Sequence, residues 1–229
     1  MHAFFIGSLP EEGSLVTLDS SESAHLFRTL RARPGTTIRL LDGRGGAGTA
    51  VIEPGQQIRL ISCDRQQPPV PRFRLACAAP RRQKLDTLLK QAVETGAAAI
   101  DLIPCERSVA KPEGSDRWTA LLKEGCKQSG NRFLPEITVR RSMTEFLTDI
   151  VRPGTALYFG ATDGNGAPVV PPENTTEIVW IVGPEGGFSP AETEQLKAAG
   201  VLPLSLGPVI MRLETAAICG MAALRMLIR

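Results

Sequence analysis

The segment Ile178-Val179-Trp180-Ile181-Val182-Gly183-Pro184-Glu185-Gly186-Gly187-Phe188-Ser189-Pro190-Ala191-Glu192 constrains the fold more than any other stretch of the 229-residue chain. Its apolar run, bounded by a glycine, reads as a buried strand. Ser189 as N-cap, Pro190 at the first helical position and Glu192 in a capping box then start a helix. Between them, Gly183 to Gly187 packs three glycines and a proline into five residues. Such a run costs conformational entropy, and it puts bare backbone at the carboxyl end of a strand, where open α/β sheets bind ligands. The loop has neither the Lys-Ser/Thr ending of a P-loop nor the glycine spacing of a dinucleotide site. A turn that only closes a strand–helix junction is the alternative reading.

A second glycine turn follows. Val201 to Leu206 reads as a short apolar strand, and Gly207-Pro208 ends it. Val209 to Ala217 then runs into an apolar helix over 214–228, with small residues at Ala216, Ala217, Gly220, Ala222 and Ala223. Small residues permit close helix approach, so this helix is either buried within one subunit or a seam between two.

Upstream, the pattern alternates. A strand over 73–79, a helix over 83–95, a strand over 98–103, a helix over 116–129 and a strand over 155–160 predict a mainly parallel α/β sheet. Before it, Gln66-Gln67-Pro68-Pro69-Val70-Pro71 reads as a semi-rigid linker. The first part is mostly β. Strands are predicted over 4–6, 15–18, 36–41, 49–52 and 58–63, with a serine-capped helix over 21–31 and a loose glycine loop at Asp42-Gly43-Arg44-Gly45-Gly46. Short strands at this spacing predict a small barrel. The expected division is therefore a β domain over 1–67 and an α/β domain over 72–229.

The two C-terminal turns together carry a resemblance. GPEGGFSxxE and the LGxxIxRxETA segment about twenty residues later are similar to the bacterial 16S rRNA uracil-N3 methyltransferases, of the trefoil-knotted methyltransferase superfamily. Weaker similarities extend over His25 to Arg31 with Pro34-Gly35, Lys90 to Gly96, Arg107-Ser108-Val109, and Glu124 to Gly130 with Pro135. Val209 replaces an expected arginine, and Asn131-Arg132 reverses an expected order. The resemblance implies a knotted α/β methyltransferase fold, a PUA-like RNA-binding barrel in front of it, and a homodimer. It implies S-adenosyl-L-methionine as cofactor and 16S rRNA or the 30S subunit as partner, with methylation of uridine N3. Another RNA position, a ribose 2′-OH, or a non-catalytic RNA-binding assembly factor remain alternatives.

By the same similarity, Gly160, Gly183, Pro184, Glu185, Gly186, Gly187, Leu206, Gly207, Ile210 and Met211 hold the cofactor; for Gly160 a plain strand end is the alternative. S-adenosylmethionine carries no phosphate, so backbone groups and an apolar wall suffice to hold it. Loss of the N3 proton spreads negative charge onto O2 and O4 of the base, which a fixed cation stabilises in the transition state. Arg212 is the candidate for that role, a structural arginine being the alternative. Glu214 is the candidate proton acceptor, and it equally suits the first turn of the last helix. Glu185, beside a sulfonium, is given a binding or structural role.

Charge supports an RNA partner. From His25 to Leu85 twelve basic residues face three acids, a net of +9 within a chain whose total is +2. Arginine outnumbers lysine 20 to 6, and its planar fork suits phosphates and base edges. A solvated arginine-rich surface is the plain alternative. His25, Arg28, Arg31 and Arg132 are the RNA-contact candidates. Two histidines make a histidine-rich metal site unexpected. Five scattered cysteines without a C-x-x-C pair, no membrane-length apolar run and no basic-then-apolar start predict a cytoplasmic protein with reduced thiols.

Overall fold

The alternating pattern beyond the proline-rich segment folds as a six-stranded sheet. The structure is a computed structural model and describes residues 1–110, 114–161 and 171–227. It divides into two units, Met1–Pro68 with Lys123–Leu134, and Pro69–Leu122 with Pro135–Arg229.

In the first unit, β1 (Ala3–Phe5), β2 (Thr37–Leu41), β3 (Gly46–Glu53) and β4 (Gln57–Arg65) form a sheet in that order. Its inward faces bury Phe4, Ile38, Leu40, Ala50, Ile52 and Leu60 against Leu26. The expected strand over 15–18 is instead an isolated bridge at Leu15, although Val16 still donates to the Ile58 carbonyl at 2.8 Å. The expected helix splits into α1 (Ser20–Ala24) and a π-turn over His25–Thr29. Asp19, not a serine, caps it, because its carboxylate accepts from Glu22 N–H at 2.8 Å.

The glycine loop at 42–46 is not loose. Buried Asp42 accepts from the N–H groups of Arg44 and Gly46, both at 2.8 Å, and from the Arg65 guanidinium at 2.5 Å. Burial opposes ionisation there, but these donors outweigh it and hold the carboxyl below its ordinary value. The second half of α3 (Asp116–Ser129) belongs to this unit. Lys127 Nζ lies 2.7 Å from Glu22 Oε1, and Leu134 N–H donates to Gly43 O at 2.9 Å.

The second unit has β5 (Arg72–Ala78), β6 (Ala99–Ile103), β7 (Glu136–Val139), β8 (Thr155–Gly160), β9 (Glu177–Val182) and β10 (Leu202–Leu204). Their order is β10-β8-β9-β5-β6-β7, and every pairing is parallel. Helices α2 (Arg82–Glu94), α4 (Met143–Ile150), α5 (Pro190–Ala198) and α6 (Leu213–Leu227) connect or follow them; the expected end of the last helix at 228 lies outside the described residues. Strand β7 and helix α4 were not expected. A signal for α4 existed, since Ser142 and Glu145 have capping-box spacing and Glu145 N–H does donate to Ser142 Oγ at 3.0 Å.

Both faces of the central strands are covered, so β6 and β9 are buried at every position. That burial encloses charge. Asp101, fully buried, meets Arg74 at 2.8 Å and Arg140 at 2.5 Å, and Arg74 also reaches Glu177 at 3.0 Å. Arg74→Met is expected to destabilise the protein by about 1–3 kcal/mol, because it takes one of two guanidiniums from buried Asp101, which keeps Arg140, and leaves a buried carboxylate oxygen without its donor. Chemical denaturation checks this through a lower midpoint at unchanged slope.

Candidate active site

The capping signals at Ser189 and Glu192 hold. Ser189 Oγ accepts from Glu192 N–H at 3.2 Å, and Glu192 Oε2 accepts from Ser189 N–H at 2.8 Å. They fix the start of α5 and so fix the end of the glycine loop. Within the loop, Gly187 sits at φ 70° and its N–H closes a turn onto Pro184 O at 2.8 Å. That left-handed conformation favours glycine. Gly207, at φ 127°, needs glycine for the same reason in the second turn.

The two turns line one cavity of about 490 Å³ at the carboxyl ends of β8, β9 and β10. From the first turn come all five residues from Gly183 to Gly187, and from the second Leu206, Gly207, Ile210 and Met211. Gly160, at the end of β8, completes the expected set on its wall. The volume falls in the range of small-molecule sites.

Sequence reasoning gave no role to the aromatic floor. Fully buried Trp180 donates from Nε1 to Ala216 O at 3.1 Å, which ties β9 to α6 beneath the cavity. Phe159 and Phe188 meet edge-to-face with ring centroids 6.2 Å apart and also form wall. Arg107, from the connection after β6, is a further wall residue. The signal for Phe159 and Trp180 was only their place in apolar runs, whereas Phe188 stands in the GPEGGFS loop itself.

Arg212 and Glu214 flank the cavity at the start of α6. Arg212 is exposed and makes no ion pair among the described residues. Glu214 Oε1 lies 3.0 Å from Lys84 Nζ, whose other neighbour is Glu185 at 4.0 Å. Burial raises the Glu214 pKa, but its own backbone N–H, Lys84 and Arg212 prevail and hold it below the ordinary carboxylate value. Its second oxygen is buried without a hydrogen-bond partner. A carboxylate held ionised in this way is a weak proton acceptor.

The RNA-contact candidates divide. His25, Arg28 and Arg31 are exposed on and just after the π-turn, with Arg33 beside them. Arg31 takes φ 51°, uncommon for a non-glycine residue. Arg132 is different. Its side chain is only 15% exposed and its guanidinium is held by Asp64. Other arginines are likewise paired with carboxylates, Arg59 with Glu53, Arg65 with Asp42 and Arg74 with Asp101, and of these three Arg74 is the buried one. Among the described residues no cluster of three His, Cys, Asp or Glu could hold a metal ion, and no helix is long and apolar enough to cross a membrane.

Comparison with known proteins agrees with this geometry. The RNA methyltransferase domain family matches residues 66–225, and the RNA methyltransferase PUA domain matches residues 18–62. The chain belongs to the RNA methyltransferase family. Among relatives in that family, ribosomal RNA small subunit methyltransferase E of Synechocystis sp. is 29% identical over 224 residues, 93% of this chain and 73% of that protein. The protein of the same name in Mycobacterium bovis is 28% identical over 246 residues, 98% of this chain and 91% of that protein. A crystal structure of ribosomal RNA small subunit methyltransferase E from Neisseria gonorrhoeae bound to S-adenosyl methionine matches with a TM-score of 0.88 at 26% identity. That match covers 99% of this chain and 98% of the other.

Proposed function

We propose that this protein methylates N3 of a uridine in 16S rRNA, on the 30S subunit in the cytoplasm, with S-adenosyl-L-methionine as methyl donor. The observation that carries the reading is the convergence of two glycine turns on one cavity with an apolar floor. The residues fit the donor: backbone of Gly183 to Gly187 and of Gly207 on two sides, and Ile210 and Met211 as apolar wall. When bound, the cofactor supplies an electrophilic methyl group on a sulfonium.

The chain's own residues do the rest. The turns fix the direction from which the base approaches, which is a positioning task. To Arg212 we assign the offsetting of the negative charge that develops on the base oxygens. Glu214 we assign to orienting Lys84, whose Nζ lies 3.0 Å from its Oε1, and the N3 proton is released to solvent water. Glu185 keeps a binding role at the cavity rim. The exposed His25, Arg28 and Arg31 hold the RNA backbone, while Arg132, engaged by Asp64, serves to fix the loop that carries it.

The knotted threading and the homodimer belong to the same reading. Thr215, Cys219, Ala222 and Met226 leave an exposed stripe along α6, and Val209 and Ile210 are 70% and 82% exposed. Such a stripe of small and apolar residues suits a partner helix.

Incubation with tritiated cofactor and unmodified 30S particles tests the proposal, with the modified nucleoside identified by mass spectrometry. N3-methyluridine is the expected product; no incorporation at any salt concentration would refute the reading. Arg28→Glu is expected to weaken RNA binding and to reduce the slope of log affinity against log salt by about 1–2. Filter binding across a salt series measures it.

A further inference from the structure

The glycine loop is held from outside itself. The connection after β6 forms a tight turn, in which Cys105 N–H donates to Ser108 Oγ at 3.1 Å and Ser108 N–H to Cys105 O at 3.0 Å. Glu106 N–H donates to Glu192 Oε1 at 2.7 Å, and the other oxygen of that carboxylate closes the capping box of α5. One side chain thus joins the Arg107 turn to the end of the glycine loop. From this anchored turn Arg107 Nη1 donates to Gly186 O at 2.9 Å and lies 3.5 Å from Phe188 O. Its stem fills the space a side chain at position 186 would take: a Cβ there would lie 3.3 Å from Arg107 Cβ and 3.4 Å from Cδ.

We propose that Arg107 is a positioning residue for the cofactor loop, acting as a clasp that keeps Gly186 and Phe188 in the shape the adenosine end of the donor requires. This rests on the methyltransferase reading above. The loop's own backbone bond, Gly187 to Pro184, fixes only its first part. Gly186 O, inside that turn, and Phe188 O, just beyond it, find their donor 79 and 81 residues away. Both contacts come from Nη1, and the rigid planar guanidinium holds that nitrogen in place with less loss of rotamer freedom than a lysine ammonium. A guanidinium in the wall of the site has a competing role, direct contact with the carboxylate of the donor's amino-acid end. The two roles differ in which ligands they affect.

Arg107→Gln and Arg107→Lys separate them. Dissociation constants are measured by calorimetry for S-adenosylhomocysteine and for 5′-methylthioadenosine, which lacks the amino-acid end. Arg107→Gln is expected to weaken both nucleosides by a similar factor, on the order of 10- to 100-fold, the worth of a charge-assisted hydrogen bond. Arg107→Lys recovers only part of that loss. RNA affinity and melting temperature stay at wild-type values, and in the methylation assay KM for the donor rises while kcat at saturation holds. Loss confined to S-adenosylhomocysteine would overturn the clasp in favour of direct contact, and unchanged affinity for both would overturn it outright. Wild-type protein that bound neither nucleoside would sink the methyltransferase reading and the clasp with it.

Discussion

Gly220→Val is expected to lower stability by about 3 kcal/mol and to deform the cavity floor. A Cβ at position 220 would stand 2.2 Å from Trp180 Cε2 and 2.3 Å from its Nε1. The indole is fully buried between β9 and α6, so it has no rotamer into which to retreat. Overpacking of this kind costs about 1–3 kcal/mol. Displacing Nε1 from Ala216 O leaves a buried donor unmade, at about 1–3 kcal/mol more. In a chain of this length each kcal/mol is worth roughly 2–4 °C of melting temperature. A calorimetric scan should therefore show the transition moved down by roughly 6–12 °C, with weaker cofactor binding because the same indole underlies the site. A melting temperature within a degree of wild type would contradict the packing of α6 on β9.

Gly186→Val is expected to weaken cofactor binding on the order of 10- to 100-fold while RNA affinity stays within about twofold, the crowding costing about 1–3 kcal/mol. Valine brings branched methyls beyond the Cβ that already lies 3.3 Å from the Arg107 stem. The loop must move, and with it the backbone that lines the cavity. The exposed arginines 28 and 31 lie in the other unit and do not depend on this loop. Parallel titrations with the cofactor and with an rRNA fragment distinguish the outcomes. Loss of both activities together would mean that the two units do not bind their ligands separately.

Much of the site was legible in the sequence because it is written in backbone requirements. Gly187 and Gly207 sit where positive φ is needed, and Ser189, Pro190 and Glu192 occupy the cap they spell. Such signals act within a few residues and survive any tertiary arrangement that tolerates the turn. The arginine-rich segment was legible only as a count. Charge along a chain does not say which guanidiniums meet carboxylates, and Arg65, Arg74 and Arg132 are engaged by Asp42, Asp101 and Asp64. Nor did the sequence show the partner of Glu214: Lys84, from the start of α2, lies 3.0 Å from its Oε1.

What the sequence determined by itself is local: two strand-to-helix turns of bare backbone, an alternating α/β segment and a β-rich segment before it. What the tertiary structure decided is partnership. Strand order put β5 between β6 and β9, and only that order lets the Arg107 turn reach Gly186 and lets Gly220 admit the indole of Trp180. The physical reason is range. Backbone dihedrals and caps are settled by neighbours a few residues apart, whereas a buried side chain's partner is set by which strands lie side by side, and no local pattern carries that information.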